Sequence, residues 1–218
     1  MRSRLQDMLP LFIILTMDLF PPFDEPFRAI LLFGAPGSGK GTLGRMLSGA
    51  GNHFHLSSGD IFRSLSKDCP AGTLYYAYAS KGRLVPDEIT MQICFHYVSG
   101  LIATNRYFPR QQLLLLDGIP RTLEQAKLLE KHARVLQIIL LEMDNTEQLF
   151  ERMKKRARLE GRHDDKDEEV LRTRMEVYQK ETLQLLTHYP SALVSRFNAD
   201  QRPIEVLRDV LVRLSSLI

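Results

Sequence analysis

Residues 29–42 read Ala29-Ile30-Leu31-Leu32-Phe33-Gly34-Ala35-Pro36-Gly37-Ser38-Gly39-Lys40-Gly41-Thr42. The unbroken apolar run is the pattern of a strand buried on both faces of a parallel sheet. The helical spacing of Leu43, Met46 and Leu47 follows the glycines directly. Strand, glycine turn, lysine and helix in that order make an anion cradle. Glycines let backbone N–H groups turn inward around phosphate oxygens, the helix aims the positive end of its dipole at them, and Lys40 adds a point charge.

Further apolar runs at residues 113–116, 135–141 and, more weakly, 192–197 read as strands. Between them lie helical spacings: Ile89, Ile93, Tyr97 and Leu101, then Leu171, Met175, Tyr178 and Leu185, and finally Ile204, Leu207, Leu211 and Leu214. Strands alternating with helices predict a parallel sheet between helical layers, with ligands at the carboxyl ends of the strands. A chain of 218 residues fits one domain, and 44% hydrophobic with 25% charged residues describes an ordinary globular protein. A net charge of +3 spread over interleaved signs gives no support for nucleic-acid binding. Cys69 and Cys94 are too few for a disulfide framework and too far apart for a C-x-x-C motif, so they read as reduced thiols and the expected location is cytoplasmic.

Residues 1–27 stand apart as an N-terminal extension before a domain at 28–218. Arg2 and Arg4 ahead of the apolar run 9–17 resemble a short signal core, but no small-residue cleavage pattern follows. Asp18 and the pair Pro21-Pro22 end the run well short of the ~20 residues a membrane helix needs. A packed or disordered extension and a start at Met17 are the other readings, and no membrane partner is expected.

Two more segments carry chemistry. Ser57-Ser58-Gly59-Asp60-Ile61-Phe62-Arg63 closes an apolar stretch and opens a helix, with Ser58 or Asp60 available as an N-cap and Arg63 able to face solvent. The run 113–116 ends in Asp117-Gly118-Ile119-Pro120-Arg121-Thr122-Leu123-Glu124-Gln125. A carboxylate ending a buried strand beside a phosphate cradle can hold the water shell of Mg²⁺, and Arg121 beyond the glycine can reach a phosphate from the same edge. Thr122 and Gln125 have capping-box spacing, which leaves Gln125 a structural alternative.

These segments, with Lys81-Gly82-Arg83-Leu84-Val85-Pro86-Asp87-Glu88 between them, resemble nucleoside monophosphate kinases of the adenylate kinase type. The likeness runs from about residue 29 to the C-terminus and implies a P-loop NTPase-type α/β fold. That fold has a five-stranded parallel sheet flanked by helices, an AMP-binding helical insert at 58–87 and a short mobile lid at 156–168. It implies reversible phosphoryl transfer between Mg·ATP and AMP by a monomer. ATP would be held by Gly34, Gly37, Ser38, Gly39, Lys40, Gly41 and Thr42 of the loop, by Arg152 stacking on its adenine, and by Arg202. AMP would be held by Ser58 and Gln125 at its base, Gly82, Leu84 and Val85 around it, Gly118 at the turn, and Arg63 and Arg121 on its phosphate. Lys40, Arg121, Arg156, Arg162 and Arg174 would surround the transferring group, Arg162 and Arg174 also meeting AMP, with Arg172 the alternative to Arg174. Asp117 would meet Mg²⁺ through water.

Gly41 stands where GTPases and ATPases place a metal-ligating hydroxyl, so the ion is expected to lean on phosphate oxygens and water. Relatives that phosphorylate UMP or CMP tend to carry alanine and asparagine where Ser58 and Gln125 stand, which favours AMP here. The lid has no cysteines to hold zinc, and His53 and His55, though on one face of a possible strand, lack further ligands. The remaining alternatives are a kinase for another acceptor and an inactive nucleotide-binding regulatory protein.

Overall fold

The computed structural model describes residues 25–161 and 167–216. Strand β1 (Phe27–Gly34) is buried at every position except Arg28. It is central because both of its edges are paired, with β3 (Leu113–Asp117) on one side and β4 (Ala133–Glu142) on the other. With β2 (His53–Ser57) and β5 (Val194–Asn198) the order is β2-β3-β1-β4-β5, all parallel.

Alternation along β1 builds two cores, because successive side chains point to opposite faces. Phe27, Ala29, Leu31 and Phe33 meet α4 (Asp87–Ala103) and α5 (Leu123–Glu130) on one face. Ile30 and Leu32 meet α1 (Lys40–Ala50) and α8 (Pro203–Ser215) on the other. Beyond the end of β1, Ala35 packs with Leu149 and Met153 of α6 (Thr146–Glu160) and with Leu171 and Met175 of α7 (Glu168–Val177). That third cluster fixes α6 and α7 to the glycine loop.

Several expectations shift by a residue or a face. In α4 the buried stripe is Met91, Cys94, Val98 and Leu101, while Tyr97 is exposed. In α8 it is Val206, Val210 and Leu214, while Ile204 is exposed. The stretch after α7 is one π turn (Tyr178–Thr182) followed by a 3-10 segment (Gln184–His188), so its spacing is not that of a continuous α-helix. Between β2 and α4 the chain forms α2 (Ser58–Ser64) and α3 (Pro70–Ala79). Cys69 caps α3, its Sγ accepting from Gly72 N at 3.3 Å, and both cysteines are free. No helix among the described residues is long and apolar enough to cross a membrane.

Candidate active site

The sheet order reverses at β1, whose neighbours β3 and β4 come later in the chain. A crevice opens there at the carboxyl ends of the strands, as expected at such a switch point. It is a cleft of about 530 Å³, within the usual range for small-molecule sites. Its floor is the glycine loop. Gly37 has φ +87°, and a Cβ there would meet Leu149 O at 2.7 Å, so only glycine lets α6 pack this closely. Gly39 is the N-cap of α1 at φ +99°, offers no side-chain cap, and is followed by no acidic residue in the first turn. The leading N–H groups of α1 are therefore left for an anion.

Lys40 folds back over this loop, its Nζ donating to Gly34 O at 2.7 Å and to Ala35 O at 3.0 Å. Burial pushes the ammonium down to about 8, Asp117 opposes that, and the guanidinium groups of Arg121, Arg156 and Arg174 add to it. The Arg121 guanidinium is likewise held below its ordinary value, first by burial and then by Arg174, with Asp117 acting the other way. A pocket that crowds like charges in a buried space is arranged for a polyanion.

Asp117 ends β3 in the same cleft, with its Oδ2 3.5 Å from His55 Nε2. Burial alone would raise its carboxyl, but His55, Lys40 and Arg121 outweigh that and keep it ionised at neutral pH. Among the described residues no three His, Cys, Asp or Glu side chains gather as a metal site. The donor set therefore suits a cation that arrives with phosphate oxygens and water and meets one carboxylate. His53 and His55 do not converge. The His53 ring lies over Gly51, and the His55 ring lies over Gly44, a position where a Cβ would come within 2.3 Å of it.

The turn after β3 joins the two halves of the site. Gly118 O accepts from Ser58 Oγ at 2.8 Å and from Arg121 Nε at 2.7 Å. Ser58 is thus buried beside this turn, and the N-cap of α2 is Ser57, whose Oγ accepts from Asp60 N. Arg63 lines the cleft with Asp60, its Nη2 donating to Asp60 Oδ1 at 2.5 Å. Gly82 and Leu84 also line it, whereas Val85 is buried in the core behind them.

From α6 and α7, Arg152, Arg156 and Arg174 line the cleft, Arg152 donating from Nη1 to Ala199 O at 3.1 Å. Arg172 turns away, its Nη2 on Glu168 Oε1 at 2.8 Å and its guanidinium over the Phe150 ring. The Arg202 side chain is not in the cleft either. It is 78% exposed and paired with Glu205 at 2.7 Å, while the other oxygen of that carboxylate accepts from Arg202 N at the start of α8. Arg162 lies outside the described residues.

Three contributors were not read from the sequence. Thr182 lines the cleft and its Oγ1 donates to Arg121 O at 3.1 Å. The π turn at 178–182 gives the chain the local offset often seen at functional sites. His55 faces Asp117, a contact that follows from its place in the β2–β3 register two residues before Ser57, the partner of Asp117. Asp87 accepts from Gln125 Nε2 at 2.8 Å.

A five-stranded parallel sheet with a glycine cradle after its central strand, and a carboxylate ending the neighbouring strand, defines the phosphate-loop class of α/β nucleotide-binding proteins. Residues 32–194 match the family model described as adenylate kinase. The adenylate kinase of Flavobacterium psychrophilum is 36% identical over 195 residues, covering 87% of this chain and 97% of that protein. That of Flavobacterium johnsoniae is 37% identical over the same length, with the same shares of each chain covered. That of Thermus thermophilus is 32% identical over 186 residues, covering 82% of this chain and 92% of that protein. The chain belongs to the adenylate kinase family.

Proposed function

We infer that the chain transfers the terminal phosphoryl group of Mg·ATP to AMP, reversibly, giving two ADP. The observation that carries this is one cleft lined by a phosphate cradle with Lys40 and, from two other segments, by Arg63 of α2 and Arg121 of the turn after β3. Two anion-binding ends facing one space suit two phosphorylated substrates. The acceptor oxygen of a nucleoside monophosphate is already anionic, so no general base is required. As its bond to the γ-phosphorus forms, the bond from that phosphorus to the β-phosphate oxygen breaks and ADP leaves.

The protein's task is to align the two chains and neutralise the charge on the equatorial oxygens. Lys40 and the N–H groups of the loop and α1 take the donor phosphates, while Arg63 and Arg121 take the acceptor phosphate. Arg156 and Arg174 approach from the lid helices, and closing them over the cleft excludes water. Mg²⁺ would supply further charge neutralisation on the donor phosphates, with Asp117 as the carboxylate to hold its water shell. The substrates of this reading are ATP and AMP, taken by a monomer.

Assaying AMP, CMP, UMP, GMP and dTMP with ATP tests the acceptor. AMP is expected to exceed the others in kcat/KM by at least ~10²-fold, the scale set when buried hydrogen-bonding groups are left unmatched. A different acceptor in first place, or tight binding of a bisubstrate dinucleotide without turnover, would replace this reading. The placement of the two lid-helix arginines gives a sharper comparison. Arg172→Ala removes an exposed ion pair and a contact over the Phe150 ring, both outside the cleft, and is expected to change turnover by less than about two-fold. Arg174→Ala is expected to cost far more, and equal losses in the two variants would overturn the assignment.

A further inference from the structure

We propose that Asp87 is a positioning residue that sets the hydrogen-bonding polarity of Gln125 and so makes the acceptor site select amino over oxo bases. This rests on the reading of that site as the AMP site. Gln125 is 1% exposed and both ends of its amide are engaged. Its Oε1 accepts from Arg121 N at 2.8 Å, and its Nε2 donates to Asp87 Oδ1 at 2.8 Å.

A backbone N–H can only donate and a carboxylate can only accept. Rotating the amide by half a turn would set oxygen against carboxylate and NH₂ against N–H, replacing two hydrogen bonds with two repulsions. The side chain is therefore locked in one sense. With Gln125 at the base of the AMP, as that reading has it, what remains to offer the base is one Nε2 proton and one Oε1 lone pair, in fixed spatial order.

Adenine presents the complement, an acceptor at N1 beside a donor at the 6-amino group. Hypoxanthine and guanine present a donor at N1 beside an acceptor at O6, the reverse order. Only an amide free to turn over would serve both classes. Arg121 N supplies half of the lock from the backbone, and no side-chain change at 121 can alter it. Asp87 supplies the other half from 38 residues earlier in the chain, on the first turn of α4. That helix keeps Glu88 in its first turn, and Asp87 makes no cap of its own, so replacing it leaves the helix start intact.

The test compares AMP with IMP, which differ at this edge alone, in the wild type and in Asp87→Ala and Asp87→Asn. Asp87→Ala is expected to lower the ratio of kcat/KM for AMP over IMP about tenfold or more, mainly through KM. Asp87→Asn keeps an acceptor for Gln125 Nε2 and is expected to hold the ratio within about three-fold of wild type. A purely structural role would lower both substrates together, leaving the ratio fixed, and that result overturns the proposal. Asp87→Leu gives the same comparison should the alanine variant fold poorly. Wild-type turnover of AMP is measured first: its absence defeats the AMP reading itself, whereas normal AMP turnover with an unmoved ratio defeats only the role of Asp87.

Discussion

Replacing Arg121 with alanine is expected to lower turnover with AMP and ATP by at least about 10²-fold while the ligand-free protein melts no earlier than wild type, since one preorganised donor is worth roughly 10²–10³ in rate. The structure separates the two effects. The backbone of residue 121 anchors the region, its N–H on Gln125 and its carbonyl on Thr182, and alanine keeps both bonds. The side chain gives only Nε to Gly118 O, and Ser58 Oγ continues to hold that carbonyl. The guanidinium meanwhile sits buried beside Arg174, Arg63 and Lys40, which is unfavourable until phosphate arrives. Its removal relieves that crowding. A coupled ADP assay with thermal melting reads both halves, and near-wild-type turnover would falsify the placement of Arg121 on the transferring group.

The same region shows what a sequence reveals unaided. Strands β1, β3 and β4 were legible because they are largely covered on both faces and so read as apolar runs, interrupted in β4 by Gln137. Strand β2 lies at the sheet edge as His53-Phe54-His55-Leu56-Ser57, mostly half-buried, and its polar positions blur the pattern. The face of α4 was ambiguous for the opposite reason. Ile89, Ile93, Phe95 and Tyr97 surround its true stripe, so more than one set of residues satisfies helical spacing. Burial of both flanks by α5 and β1 decides between them, and that is a tertiary fact.

Among candidate site residues, those brought to the cleft by a short segment after a strand were readable from local order: the glycine loop, Asp117, Gly118 and Arg121. Those depending on contacts between distant segments were not. The ring of His55 reaches Asp117 through the pairing of β2 with β3, and Gln125 finds Asp87 across the gap between α4 and α5. Arg202, which the resemblance assigned to ATP, has its side chain paired with Glu205 on the surface. The separate placement of Arg172 and Arg174 likewise depends on the turn of α7 against α6, which sends the former to Glu168 and Phe150 and leaves the latter lining the cleft.

Lys40→Met is expected to produce the largest loss, about 10³-fold or more in turnover, because it removes the charge nearest the donor phosphates while keeping the volume. It also isolates a proton. The ammonium of the free protein is depressed to about 8 from an ordinary 10.5, chiefly by burial, with Arg121, Arg156 and Arg174 adding to that. A polyphosphate brought against it favours the charged form and raises that value again. Affinity for ATP should therefore be greatest below pH 8 and fall as pH rises through the free-protein value, with proton uptake on binding near pH ~9. Calorimetry in buffers of different ionisation enthalpy measures that uptake, and it should vanish in the methionine variant.

Stability depends on pH in the opposite direction to ATP affinity. A lysine whose folded value lies below its unfolded one costs the folded state most where both forms are charged, so wild type is penalised fully below pH 8 and is relieved as pH rises toward 10.5. Lys40→Met should accordingly melt as high as wild type or higher at neutral pH, and the gap should narrow as the solution becomes alkaline. A variant that instead melts lower at every pH would mean that the bonds from Nζ to Gly34 O and Ala35 O hold the empty loop together more strongly than its crowded charges push it apart.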